Sequence, residues 1–156
     1  MNIRFIRSSE KKKITEQLKE QFGISELPYL LIEGKEKIRA FSGHLSKEEI
    51  MLLSEIANIE VIGSYLIKKE SDLRLSLDAT MLLKDQISKN IINLSDSEFQ
   101  DWIRGYNLQK EAQKGTLIIK YKEDFIGCGK STGSSIINHV PKGRRLKTKL
   151  NVPQNI

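Results

Sequence analysis

Two stretches in the second half of the sequence hold residue types that could do chemistry. In the run from Phe125 to Gly133, the glycines at 127, 129 and 133 let a backbone approach a neighbour closely, and Lys130, Ser131 and Thr132 set donors beside them. Such a grouping suits phosphate oxygens. It equally suits a tight strand end and turn in which glycine serves shape alone, and the residues themselves leave both readings open. Gly129-Lys130-Ser131 also matches the end of a nucleotide-binding P-loop, but the position where that motif needs its first glycine is Asp124. The second stretch is Asn138-His139-Val140-Pro141-Lys142-Gly143-Arg144-Arg145. Pro141 stiffens this turn and Gly143 frees it, so that Lys142, Arg144 and Arg145, followed by Lys147, are presented together, and guanidinium forks match phosphate oxygens. Asn138 and His139 carry groups that could read a base edge or a ribose hydroxyl. The plainer alternatives are an asparagine satisfying a local turn and an ordinary half-buried histidine.

Other constellations point less far. Cys128 and His139 could make a thiolate and its base, yet a small buried cysteine is the simpler reading. One cysteine and two histidines exclude an intrachain disulfide framework and a multi-cysteine zinc site, and we expect neither a metal nor a cofactor. Arg74, on the polar side of its segment, and Lys68-Lys69 could extend a basic surface, although solvated charge is the default for all three. Phe99 and Trp102 have the spacing of a buried helix face, which favours core packing over a base-stacking platform.

Charge distribution narrows the partner. The formal charge is +6, while residues 1–60 hold ten basic and ten acidic residues, so the whole excess lies beyond them. From Ile126 onward there are six basic residues and no acidic one. A polyanion is the matching partner, since neutralising phosphates releases condensed counterions. With 38% hydrophobic and 29% charged residues the chain can bury a core. No apolar run approaches the roughly 20 residues that cross a bilayer, so we expect a cytoplasmic protein without a membrane partner.

The elements that must position these residues follow from periodicity. Ile3 to Ile6 reads as a strand, Ser8 or Ser9 can cap a helix carrying Ile14, Leu18 and Phe22, and Gly23 stops it. Strands are expected at 29–32 and 37–41, and Ser46 with Glu49 forms a capping box for a helix with Ile50 and Leu53. This makes a small α+β unit over 1–60. Beyond it, 61–67 and 73–77 read as strands, Asp78 can cap a short helix, and Ser95 with Glu98 opens another that ends at Gly105. Strand patterns at 116–121, 125–130 and 136–139 complete an α+β chain. Its second domain, 61–148, is expected to be a small β-barrel with inserted short helices, and 149–156 a flexible tail.

Gly115 to Leu146 resembles the RNA-binding PUA-like domain at the C-terminus of Sun/Fmu-type rRNA cytosine methyltransferases. The resemblance is carried by Phe125-Ile126-Gly127-Cys128-Gly129-Lys130, then Asn138, Pro141-Lys142 and Arg144-Arg145. Upstream, Ile62-Gly63-Ser64-Tyr65 with Leu73 to Ala79 resembles the opening of the PUA domain in a ribosome-biogenesis factor that has a small α+β domain in front. The likeness is closest to small stand-alone archaeal proteins related to that family. It implies a structured RNA partner, rRNA or tRNA, and an RNA-modifying enzyme or ribosome-assembly factor as a further one. The glycine-rich loop and paired catalytic cysteines of the methyltransferase do not occur in these residues, so methyl transfer is not carried over. The expected function is that of an RNA-binding accessory protein without catalysis. The alternative is a small enzyme or a protein-interaction adaptor whose basic segment is incidental.

Overall fold

A computed structural model describes residues 2–151, which divide into two compact units, Met1–Lys89 and Asn90–Ile156. The first contains β1 (Arg4–Phe5), α1 (Ser8–Phe22), β2 (Leu30–Glu33), β3 (Lys37–Phe41), α2 (Lys47–Ile56), β4 (Ser64–Lys69), β5 (Leu73–Leu75) and α3 (Leu77–Leu82). Its five strands pair antiparallel in chain order. Ile3, Ile32 and Ile50 centre one core cluster of this unit, with Phe5, Leu30, Phe41, Ile59 and Ile62 packed around them. Beside β5, the last strand of this sheet, the Gln21 amide imitates a peptide group: its Nε2 donates to the Leu73 carbonyl (3.1 Å) and its Oε1 accepts from the Leu73 N–H (3.0 Å). Both polar groups of Leu73 are thereby satisfied on an edge strand.

The division falls after Lys89, not after residue 60. β4 pairs with β3 through Lys37↔Lys68, Ile38↔Ile67, Arg39↔Tyr65 and Ala40↔Ser64, so the 61–75 segment completes the first sheet instead of opening the second domain. Two caps also differ from the sequence reading. Helix α1 begins directly after Arg7 with no side-chain cap, and Ser8 and Ser9 lie in its first turn. Ser76 replaces Asp78 as the cap of α3, because its hydroxyl accepts from the Ala79 N–H (3.0 Å) while donating to the Tyr65 carbonyl (2.7 Å). Both capping boxes, Ser46 with Glu49 and Ser95 with Glu98, form as expected.

The second unit contains β6 (Ile91–Asn93), α4 (Asp96–Ile103), β7 (Gly115–Tyr121), β8 (Asp124–Ser131) and β9 (Ile136–Asn138). Its sheet runs β6-β7-β8-β9, with β6 parallel to β7 and the other pairs antiparallel, and Leu108 bridges to Ile136 beside β9. Short β6 has no counterpart in the sequence reading. Leu94, Trp102, Leu108, Leu117, Ile119, Tyr121, Ile136 and Val140 pack into the core of this unit. Phe99 and Trp102 both serve packing: Phe99 stacks on Tyr121 with centroids 3.9 Å apart, and Trp102 is wholly buried with its Nε1 donating to the Ile126 carbonyl. Leu150, expected in a free tail, exchanges two hydrogen bonds with the Gln100 amide, 2.9 and 3.0 Å. Residues 152–156 of that expected tail lie outside the described residues.

Glycine at 129 is dictated by close approach. A Cβ there would sit 2.6 Å from Ile136 Cγ2 and 2.8 Å from Trp102 Cη2, both locked in the core. Gly129→Ala should therefore overpack the second unit and lower its stability by about 1–3 kcal/mol, read from urea unfolding followed by the single tryptophan, Trp102. An unchanged midpoint would contradict that packing. Burial pushes the Glu98 carboxyl up, but the Ser95 backbone N–H and the Lys110 ammonium outweigh this and hold it below its ordinary value. A depressed folded pKa adds stability above the unfolded value of about 4.3, and that stability is lost as the pH falls through the folded value. Glu98→Gln should flatten this acid limb in a series of unfolding curves against pH, leaving the alkaline limb as it was.

Candidate nucleic-acid interface

The last turn of α4 is where the basic segment is fastened. A helix ends with carbonyls that lack an intrahelical partner, and here each finds one. The Gln100 carbonyl accepts from Arg104 Nε (3.1 Å), and that of Asp101 from the Arg104 and Tyr106 N–H groups (3.2 and 3.1 Å). The Trp102 carbonyl accepts from the Gly105 N–H (3.0 Å) and from Asn138 Nδ2 (2.8 Å), and that of Ile103 from the Leu146 N–H (2.9 Å). Two of these donors, Asn138 and Leu146, bracket the segment that carries Lys142, Arg144 and Arg145.

Asn138 is consequently an internal clamp and not a base reader. Only 8% exposed, it spends both amide hydrogens on the Trp102 and Tyr106 carbonyls (2.8 and 3.0 Å), accepts the Val140 N–H at 2.8 Å, and gives its own N–H to Asn107 Oδ1 at 2.9 Å. Ser131 is similarly withdrawn: buried, its hydroxyl donates to the Ala112 carbonyl (3.1 Å) and accepts from the Gly133 N–H (3.1 Å). Thr132 pairs with Ser135 across the turn between β8 and β9. With the space at Gly129 filled by Ile136 and Trp102 and the Ser131 hydroxyl engaged internally, these two residues take the shape reading of the two left open, and Ser131 is not turned toward a ligand. Cys128, opposite Ile118 in β8, is buried. Among the described residues no cluster of three His, Cys, Asp or Glu could hold a metal.

After Val140 and Pro141 the chain makes a 3-10 turn over Lys142–Arg144, all three residues exposed. Arg145 is half-buried, its Nε donating to the Val140 carbonyl (2.9 Å) and its guanidinium lying against Gly105. There the glycine is required by its left-handed φ of 92°, and its bare face lets the Arg145 side chain lie against the backbone. Lys147 is exposed, as is Lys130 on β8, where it faces exposed Ile137 on β9. His139 is half-buried between Asn138 and Val140. Among the described residues of this unit, Arg104 pairs with Asp101 and Lys110 with Glu98, and neither ion pair draws on Lys130, Lys142 or Lys147. The second unit holds eleven basic against six acidic residues.

Arg74 has a carboxylate neighbour. It lies in the first unit on β5, its side chain 14% exposed and 3.6 Å from Glu70. Lys68 is 3.4 Å from Glu70, and Lys69 pairs with Glu33. All three thus have carboxylate neighbours within the first unit, as the solvated-charge reading has it. Sequence reasoning missed Tyr106, which follows the Gly105 stop of α4 and leaves its ring exposed. Its place beyond the apolar face of the helix was the signal that could have found it.

The clamp yields a measurable expectation. Asn138→Ala leaves the Val140 N–H and the Tyr106 carbonyl without their partners, which should cost about 2–3 kcal/mol in urea unfolding followed at Trp102. Retention of full stability would mean that the clamp carries no energy.

Residues 89–146 match the family model described as the Methyltransferase RsmF PUA domain. The matched stretch covers just over a third of the chain and coincides with the second unit up to the anchor at Leu146. No curated protein matches the chain. No helix among the described residues is long and apolar enough to cross a membrane. With β6 to β9, α4 and the basic turn all inside the match, this part of the chain is a PUA-like domain resembling the C-terminal domain of Sun/Fmu-type rRNA cytosine methyltransferases.

Proposed function

We propose that the chain is an RNA-binding accessory protein acting in the processing or modification of rRNA or tRNA, or in ribosome biogenesis, and that it performs no catalytic step itself. The observation that carries this reading is the exposed Lys142–Arg144 turn, continued by Arg145 and Lys147 and fastened to α4 on a PUA-like domain. Lysine and arginine held on a fixed turn offer phosphates several charge-assisted hydrogen bonds at once. The absence of a catalytic role is favoured by the chemistry of the groups at hand. The single thiol is buried within a strand, and the hydroxyls of Ser131 and Thr132 are taken up by internal hydrogen bonds. The structured RNA would be met in the cytoplasm, with an RNA-modifying enzyme or an assembly factor as a second partner.

One observation favours the adaptor reading instead. On and just after α2, Leu52, Ile56 and Val61 are strongly exposed, Ile56 at 84%, so apolar surface is open on the first unit. Under that reading the chain would have no measurable affinity for RNA.

The test uses the full chain with a labelled tRNA and a labelled rRNA stem-loop. The double substitution Lys142→Ala with Arg144→Ala should weaken binding and lower the slope of log affinity against log salt by about two, roughly one for each phosphate no longer neutralised. Both side chains are exposed, so the Trp102 unfolding midpoint should stay put. Unaltered affinity and slope would remove this turn from the interface.

A further inference from the structure

Among the described residues Tyr106 is the one exposed Phe, Tyr or Trp, at 56%. Its backbone is nonetheless fixed, the N–H donating to the Asp101 carbonyl (3.1 Å) and the carbonyl accepting from Asn138 Nδ2 (3.0 Å). The ring is therefore displayed from a rigid base and not from a mobile loop. The Arg104 guanidinium stands 4.9 Å from the ring centroid and is itself held by the Gln100 carbonyl (3.1 Å) and the Asp101 carboxylate (2.9 Å). Gly105, between Arg104 and Tyr106 in sequence, carries the Arg145 guanidinium against its backbone. A displayed tyrosine thus has one positioned guanidinium over its ring and a second against the glycine that precedes it, and the second belongs to Arg145, which directly follows the Lys142–Arg144 turn.

Aromatic rings and guanidinium planes are the surfaces on which unpaired bases stack, and neighbouring cations meet the phosphates of the same strand. We propose that Tyr106, with Arg104 and Arg145 beside it, is a stacking subsite for an unpaired base of an RNA whose backbone is gripped by Lys142 and Arg144. This deepens the RNA-binding reading and rests on it. A stacking subsite makes the protein prefer a strand with a splayed base over an uninterrupted helix, because a paired base offers no free face.

Two fluorescein-labelled hairpins with the same stem provide the test, one closed by four unpaired adenosines and the other by a linker without nucleobases. In anisotropy titrations with the full chain, Tyr106→Ala should bind the adenosine hairpin roughly tenfold more weakly. It should bind the linker hairpin as the wild type does, with the salt slope unchanged. Tyr106→Phe should keep the affinity, since the ring and not the hydroxyl does the stacking. Equal loss on both hairpins, no loss on either, or a Tyr106→Phe variant as weak as Tyr106→Ala would each overturn the subsite. If the wild type binds neither hairpin, the RNA-binding reading fails with it. If Lys142→Ala with Arg144→Ala weakens both hairpins while Tyr106→Ala weakens none, the stacking subsite alone fails.

Discussion

The buried amide of Asn138 is the interaction on which the second unit's surface depends. A buried primary amide must place two hydrogens and at least one lone pair inside the fold, since leaving them unpaired costs far more than pairing them gains. Asn138 places all three, on the Trp102 and Tyr106 carbonyls and the Val140 N–H. In doing so it joins the end of α4, the end of β9 and the start of the basic turn at a single side chain. No isosteric apolar residue could make those three connections. The backbone at Tyr106 and the start of the basic turn at Val140 are both held at that junction.

Around it the unit resolves a conflict between charge and burial by dividing labour along the chain. Residues of β8 and β9 that face inward, Gly129, Ser131, Ile136 and Asn138, are spent on packing and internal hydrogen bonds, while Lys130 and Ile137 face out. Arg145 belongs to both sides. Its Nε is tied to the Val140 carbonyl and its position over Gly105 is fixed, yet it remains half-buried and not enclosed. Glycine is required at 105 by its left-handed φ of 92° and at 129 because buried Ile136 and the Trp102 indole occupy the space of a side chain.

Local chemistry was legible in the sequence and long-range pairing was not. The two Ser-x-x-Glu capping boxes could be read because all their partners lie within one turn. The cap of α3 could not, since Ser76 and Asp78 both have the chemistry and the decision comes from the Tyr65 carbonyl, eleven residues away. Alternation marked β4 and β5 as strands but is silent on which sheet they join, and it was pairing with β3 that assigned them to the first unit. Three-residue β6 is too short for any period to register and exists through its parallel partner β7. For the interface, the run of lysine and arginine after Pro141 was plain, whereas Asn138 and Ser131 looked open to a ligand because their types are polar. Alternation held the correction: Asn138 shares a face with Ile136, two residues before it, and Ser131 is paired with Ile136 across the strands.

The reciprocal pairing of the Gln100 amide with the backbone of Leu150 matters for the kinetics of encounter. Together with Asn138 it ties the 138–150 segment to α4 at both ends, so the loss of chain freedom is met once, during folding. Under the proposed function, a polyanion arriving at Lys142 and Arg144 would meet a surface already ordered, without a step in which a coil must be fixed. Capture at such a pre-ordered surface would then depend on diffusion and long-range steering, and so on ionic strength more than on loop dynamics.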